Sequence, residues 1–390
     1  MIKIQCLNKI SRAGTDRFGP GYLCGRDIEK PDAVLVRSAS LHEMDFPRNL
    51  LAVARAGAGV NNIPLDRCSS RGIAVFNTPG ANANAVKELT VAMLFLVSRK
   101  IVSGVDWCRT LRGKGDEVGK LIEKGKSQFS GPEISGKALG VIGLGAIGIR
   151  VANAASALGM QVYGYDPYLS VDAAWGLSRS VRHSRSLDEI YSKADYLTIH
   201  VPLLPSTEHM ISAESVEKMK TGVRILNFAR GGLVDSRAVI DGIHSGKIAC
   251  YATDFPDDAL LGEKEVIPVP HLGASTPESE DNCARMAVDE LKEYLETGNI
   301  RNSVNLPAVS MPHAEGCGRL CLIHRNIPNT ISKLSGILAS AGINIENMQS
   351  RAKGEYAYTL LDVTGAVSDA TAERLEALAE IVRARVAPAG

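Results

Sequence analysis

The sequence predicts an α/β protein: a doubly wound parallel sheet, preceded by a flavodoxin-like parallel lobe and followed by a small ferredoxin-like α+β domain. Three observations predict it. Short apolar runs alternate with helix-compatible segments over roughly the first 275 residues, as in successive βα units. The stretch Gly140-Val-Ile-Gly-Leu-Gly-Ala-Ile-Gly148 joins one such run to a helix-like segment. Beyond the aperiodic stretch from Leu306 to Gly316, which holds Pro307 and Pro312, the order of runs changes to βαββαβ.

Taken in order, residues 1–6 read as a first strand, and 33–37, 50–56 and 73–77 as short buried strands. Residues 82–99 carry Val86, Leu89, Ala92, Met93, Leu96 and Val97 at helical spacing. The Gly- and Lys-rich stretch 112–136 is expected to wind over the surface. Residues 138–142, 149–158 and 161–165 give strand, helix and strand around the glycine turn. Further strands follow at 196–200, 224–228, 249–253 and 266–269, and an amphipathic helix at 278–297 stops at Gly298, a C-cap. The tail reads as strand 319–325, helix 330–341, strands 343–352 and 356–363 joined at Lys353-Gly354, helix 371–379 and strand 381–386. The expected division is a lobe over 1–90, a central domain over 91–275, a return segment over 276–306, a linker over 307–317 and a separate tail domain over 318–390.

The glycine turn carries the first chemistry. Gly143 allows a tight turn, Gly145 lets a pyrophosphate approach the backbone, and Gly148 lets the following helix pack on the sheet with its amino end toward the phosphates. Ala146 and Ile147 complete the turn. Asp166, in Tyr163-Gly-Tyr-Asp-Pro167, stands where a carboxylate takes the ribose hydroxyls, which favours NAD over NADP. The pattern therefore predicts a Rossmann-type dinucleotide-binding domain.

Composition narrows the partners. Hydrophobic residues make up 45% of the 390 residues, enough for several cores, and a formal charge of +1 gives no reason to expect nucleic acid or an anionic membrane. No apolar run reaches membrane-spanning length, and the start reads as a strand, not a signal peptide. Eight scattered cysteines suit a reducing cytoplasm. Cys317, Cys321 and His324 invite a metal, but the alternation of 319–325 favours Cys321 as a small buried residue, so no metal is expected.

A nicotinamide enzyme needs a group to move a proton and a cation to hold a carboxylate. Arg230, in Asn227-Phe-Ala-Arg-Gly-Gly232, lies just past the carboxyl end of one predicted strand. His271, in Pro270-His-Leu-Gly-Ala-Ser-Thr276, lies past the end of the next but one. Each alone reads better as an ordinary loop residue. Both on one sheet edge beside a dinucleotide turn point to an active site.

With these motifs, His200-Val-Pro-Leu203, and Arg55-Ala-Gly-Ala-Gly-Val-Asn-Asn62 followed by Asn77-Thr-Pro79, the chain resembles the D-isomer-specific 2-hydroxyacid dehydrogenases over nearly its whole length. The resemblance implies that Arg230 anchors the substrate carboxylate and that His271 takes the C2 hydroxyl proton. It implies that the amides of Gly57, Ala58 and Gly59 help to hold the carboxylate, and that Val201, Pro202, Ala229 and Asp254 line the NAD. The implied reaction is oxidation of the small molecule 3-phosphoglycerate to 3-phosphohydroxypyruvate. Glyoxylate and hydroxypyruvate are the alternative substrates, and a non-catalytic regulator is a remote one. Arg37 and Arg55 suit the substrate phosphate, and suit equally a surface salt bridge. The tail, with His324-Arg-Asn-Ile-Pro328, resembles an ACT domain, in which His324, Asn326 and Asn344 would meet a serine effector. A homodimer or homotetramer is implied as well.

Three departures from the family pattern stand out. Ala146 replaces the usual Arg of the turn, and Asn329 replaces the usual glycine of the tail loop. The family's Glu partner of the catalytic His is missing: the segment reads Asp254-Phe-Pro-Asp-Asp-Ala-Leu-Leu261, with Ala259 at the expected spacing. Asp258 or Asp257 is the expected substitute, since a carboxylate beside an imidazole fixes its tautomer.

Overall fold

Five short strands of the first eighty residues pair in parallel: β1 (Ile2–Leu7), β2 (Tyr22–Gly25), β3 (Ala33–Val36), β4 (Ala52–Arg55) and β5 (Ala74–Phe76), in the order β2-β1-β3-β4-β5. In this computed structural model, which describes residues 1–388 apart from 313, 315 and 366, β3 is buried along its whole length. Both faces of the sheet are covered, which explains the unbroken Ala-Val-Leu-Val run. The helix Pro277–Thr297 lays Ala287, Val288, Leu291, Tyr294 and Leu295 into one core with Ile4, Leu35, Ala54 and Phe76. Sequence reasoning missed β2, a four-residue edge strand with no apolar run to announce it.

That helix also buries Glu290, 8% exposed, whose Oε1 accepts from Asn302 Nδ2 at 2.6 Å while Oε2 has no donor. Burial pushes its carboxyl up to about 7. Below the unfolded value of about 4.5 both states hold the proton and nothing is lost. As pH rises from about 4.5 to about 7 the unfolded chain ionises while the folded one still holds the proton, and stability falls by up to about 3 kcal/mol, the loss being complete above 7. Glu290→Gln is therefore expected to equal the parent near pH 4 and to exceed it at pH 8. Urea denaturation at both pH values checks this.

The chain divides into two compact units, residues 83–276 and, separately, residues 1–82 with the chain from Pro277 onward. The first division falls before the helix Ala83–Ser98, not inside it at residue 90 as expected. Met93, Leu94 and Val97 of that helix are buried with Leu139, Val151 and Leu226, so the whole helix belongs to the 83–276 unit. The stretch 112–136, expected to wind over the surface, includes the helix Val118–Gly125, and the helix Ile101–Thr110 comes before it.

In the 83–276 unit, β6 (Ala138–Ile142), β7 (Gln161–Tyr165), β8 (Arg182–His183), β9 (Tyr196–Ile199), β10 (Val223–Asn227), β11 (Ile248–Thr253) and β12 (Val266–Pro268) form one parallel sheet. The order is β12-β11-β10-β9-β6-β7-β8, so the winding reverses between β6 and β9. A crevice at such a reversal, outside the strands' carboxyl ends, is where ligands bind in open α/β sheets. No described helix is long and apolar enough to cross a membrane.

The tail forms β13 (Cys317–Arg325), β14 (Ile345–Lys353), β15 (Tyr356–Thr364) and β16 (Ile381–Val386), antiparallel in the order β14-β15-β13-β16, with helices Thr330–Ser340 and Asp369–Glu376. This is the expected βαββαβ arrangement. The tail is not separate, however. Leu320 and Leu322 face its own helices, whereas Cys321, Ile323, Tyr358 and Leu360 join the core built by the return helix and the lobe sheet. Alternation along β13 is thus buried on both sides, and exposing the second face would forfeit that core. Cys321 is 2% exposed, the small buried residue expected.

Candidate active site

The glycine turn has the geometry a dinucleotide needs. Gly143 sits at φ +89, where a side chain is strained, and an added Cβ would fall 2.6 Å from the His200 carbonyl oxygen. At Gly148 a Cβ would collide with the Gly143 carbonyl oxygen. Gly145 opens on free space and caps the helix Ala146–Ala157 with no side-chain hydrogen bond, so the helix amides remain available to an anion. Asp166 accepts from Leu144 N and Tyr168 N, both at 2.9 Å, which fixes its carboxylate against the turn. These residues fit NAD: a cradle free of Cβ atoms, an uncapped helix end and a carboxylate for the ribose.

Across the reversal, His200 ends β9 with Nε2 3.0 Å from Thr198 Oγ1, and burial pushes its ring down to about 4. It is neutral at physiological pH and places no charge beside the turn. Val201, Pro202 and Ala229 follow the ends of β9 and β10, on the same carboxyl edge.

Arg230 is positioned by a residue that sequence reasoning passed over. Asn227, fully buried at the end of β10, donates from Nδ2 to the Arg230 carbonyl at 2.9 Å and accepts from Ala229 N at 3.2 Å. The side chain of Arg230 is left exposed, with Nη1 donating to the Ala229 carbonyl at 2.6 Å. The signal was present in the sequence, because a polar Asn closing the apolar strand Val-Arg-Ile-Leu-Asn needs a backbone partner.

His271 follows β12 with its ring against Phe255, centroids 4.8 Å apart. Its Nδ1 lies 3.0 Å from Oδ2 of Asp254, whose side chain is fully buried. Among the described residues neither oxygen of that carboxylate takes a hydrogen bond, and the His271 imidazole is the group set against it. This corrects the expected pairing with Asp258 or Asp257. Asp257 caps the helix Asp258–Leu261, accepting from Leu260 N at 3.0 Å, and Asp258 lies exposed in its first turn. Helix initiation takes both residues, whereas Asp254 leaves the end of β11 beside His271. Asp254, expected only to line the cofactor, is the partner of the histidine.

In the lobe, Arg37, Arg55 and the Gly57–Gly59 loop lie at the carboxyl edge of β3 and β4. Arg37 pairs with Glu280 at 2.8 Å, both about two-fifths exposed. An exposed pair of this kind contributes about 0–1 kcal/mol and opens readily to a competing anion. Arg55 donates from Nε to the Arg37 carbonyl at 2.9 Å and from Nη1 to the Gly59 carbonyl. Asn77 Nδ2 donates to the Ala58 carbonyl, and Thr78 N to that of Gly57 at 3.1 Å. Arg55 thus braces the loop that Asn77 and Thr78 hold from the end of β5.

Residues 91–273 match the profile of the D-isomer specific 2-hydroxyacid dehydrogenase NAD-binding domain. The D-3-phosphoglycerate dehydrogenase of Haemophilus influenzae is 32% identical over 348 residues, covering 86% of this chain and 81% of that protein. The chain belongs to the D-isomer specific 2-hydroxyacid dehydrogenases. The D-3-phosphoglycerate dehydrogenase of Methanocaldococcus jannaschii is 35% identical over 72% of the chain, which spans only 53% of that relative. The chain spans about half the length of most such relatives. Among solved structures, the NAD+-bound 3-phosphoglycerate dehydrogenase of Entamoeba histolytica superposes with a TM-score of 0.61 at 23% identity, over 78% of this chain and 98% of that one. The D-mandelate dehydrogenase of Rhodotorula graminis gives 0.65 at 22%, over 80% and 99%. These likenesses establish the fold.

In this 2-hydroxyacid dehydrogenase, Ala146 lies exposed at the helix's amino end. Asn329 adopts φ +74, a left-handed conformation that Asn tolerates, so its replacement of glycine needs no remodelling there. The tail residues expected to meet serine do not converge within one chain. His324 is 3% exposed, with Nδ1 2.9 Å from the Arg325 carbonyl and Nε2 2.9 Å from Thr359 Oγ1, and burial lowers its pKa. Asn326 Nδ2 donates to the Gly354 carbonyl at 3.2 Å at that end of the sheet. Asn344, hydrogen-bonded to Thr364 and Glu346, lies at the opposite end, where Thr364 pairs with Cys317.

Proposed function

We propose that this chain oxidises 3-phosphoglycerate to 3-phosphohydroxypyruvate with NAD, the entry step to serine. The observation that carries the reading is Arg230 and the His271–Asp254 pair on one sheet edge beside a cradle fit for a dinucleotide. The names of the relatives support the substrate. The nicotinamide supplies the hydride acceptor. Arg230 holds the carboxylate and polarises the C2 oxygen, His271 Nε2 accepts the hydroxyl proton, and Asp254 fixes the ring through Nδ1. Arg37 and the amides of residues 57–59 are where we place recognition of the substrate's anionic groups. Phe95, Ile101, Val102 and Val105, each 39–45% exposed, support the oligomer that the resemblance implies.

A second reading is reduction of hydroxypyruvate or glyoxylate, favoured by the ion pair that already occupies Arg37. NADH oxidation with 3-phosphohydroxypyruvate, hydroxypyruvate and glyoxylate separates the two. A kcat/KM at least about tenfold higher for the phosphorylated acid, a difference of about 1.4 kcal/mol, is expected. Parity or the reverse order assigns the second reading, and no turnover of any of them ends both. Addition of serine tests the tail: a fall in rate assigns it to regulation, and an unchanged rate leaves it as a packing element.

A further inference from the structure

We propose that Cys6 and Cys24 are a redox-active pair that closes to an intramolecular disulfide and thereby loosens the loop carrying Arg37. The two cysteines lie on the neighbouring parallel strands β1 and β2, with their Sγ atoms 3.1 Å apart. A disulfide needs about 2.0 Å, so closure takes a shift of about 1 Å between the strands. β2 is an edge strand, held on one side only, so the two strands can draw together, with β1 taking part of the shift.

The two sulfurs are unequal. Cys6 is 8% exposed, whereas Cys24 is partly open to solvent. Donation from the Cys6 thiol lowers the pKa of Cys24, and the same contact together with burial raises that of Cys6. Cys24 is the attacking group and Cys6 the resolving one. The oxidant is a low-molecular-weight disulfide such as oxidised glutathione. The Cys24 thiolate attacks one of its sulfurs, the S–S bond breaks and one thiol leaves. The Cys6 sulfur then displaces the second thiol from the mixed disulfide. Two protein thiols are oxidised, one small disulfide is reduced to two thiols, and the protein's two thiol protons leave with them.

The coupling runs through Asn8, two residues beyond Cys6. Asn8 sits at φ +84, and its Oδ1 accepts from Arg37 N at 3.3 Å, Ser38 N at 3.0 Å and Ala39 N at 2.9 Å. One carbonyl oxygen at the end of β1 therefore holds the turn that carries Arg37. Displacing β1 by a fraction of the closure shift lengthens three hydrogen bonds at once.

The full chain would be equilibrated in glutathione buffers of increasing oxidised fraction, its thiols alkylated, and its peptides mapped by mass spectrometry. A Cys6–Cys24 cross-linked peptide, lost again on adding dithiothreitol, is the expected result. Exposed Cys108 serves as an internal control and should give only a mixed disulfide. Hydrogen exchange on the same samples should show the amides of residues 37–39 exchanging at least about tenfold faster when oxidised, and Cys24→Ser should abolish the difference. Cys6 and Cys24 still freely alkylated while Cys108 is modified would overturn the pair. A cross-link with unchanged exchange at 37–39 would overturn the coupling. Neither readout depends on turnover.

Discussion

Replacing Arg319 with Ala is expected to destabilise the tail by about 3–5 kcal/mol, because it leaves a buried carboxylate without its cation. Arg319 and Asp362 are both fully buried, paired at 2.6 Å and 3.0 Å through two guanidinium nitrogens. The remaining donors reach the carbonyls of Thr297 and Met311 at 3.2 Å and of Pro312 at 2.7 Å, while Asp362 also accepts from Ala314 N at 3.2 Å. One guanidinium thus ties the end of the return helix, the connecting segment and the tail sheet together. Tryptophan fluorescence is the wrong probe, because Trp107 and Trp175 both lie in the other unit. Hydrogen exchange in β13 and β15 reads the tail directly, and a rise of about 150- to 5,000-fold in Arg319→Ala corresponds to that loss. The double variant Arg319→Met with Asp362→Leu, which removes both charges, should recover most of it. If Arg319→Ala alone exchanged like the parent, the network would hold nothing that the apolar core does not.

The same residues show where the sequence was readable. The glycine turn announced itself because its requirements are local: positive φ at Gly143 and absence of a Cβ at Gly148 are written at those positions. Strands β6 to β12 were legible for a related reason, all but the exposed two-residue β8, since a parallel strand buried on both faces reads as an apolar run. Arg319 gave no such signal. It opens the alternating run of β13, and its partner lies 43 residues away, a separation no periodicity records. The tail's burial against the return helix was hidden likewise, because alternation says that a face is covered, not by what. The hydrogen bonds of His324 were not legible, because the same imidazole can line a ligand site or close a hydrogen-bond chain. Only the structure shows the chain running on through Thr359 to Ser350, at 2.7 Å. The pairing of His271 with Asp254 was missed, since the direction in which the chain leaves β11 decides which of three nearby Asp residues meets His271.

That choice makes the second prediction the most discriminating one. His271→Asn is expected to lower kcat by about 100- to 10,000-fold, the ordinary loss when a general base is removed. Asp254→Asn should lower it less, on the order of 10- to 100-fold, because the ring remains but its orientation and tautomer are no longer held from Nδ1. If the carboxylate acts through the imidazole, the losses do not add: in a His271→Asn background, Asp254→Asn should cost almost nothing more. A carboxylate that merely packs the end of β11 would exact the same loss in either background. Asp258→Asn is the control, since its side chain lies exposed in a helical first turn, and it should leave kcat unchanged. Phe255 adds a check on the ring's other neighbour. With centroids 4.8 Å apart, Phe255→Leu keeps the volume but removes the aromatic face, and its loss should add to that of Asp254→Asn because the two hold the imidazole independently. Equal falls in kcat from Asp258→Asn and Asp254→Asn would return the partnership to the helix and leave the 3.0 Å approach without a catalytic role.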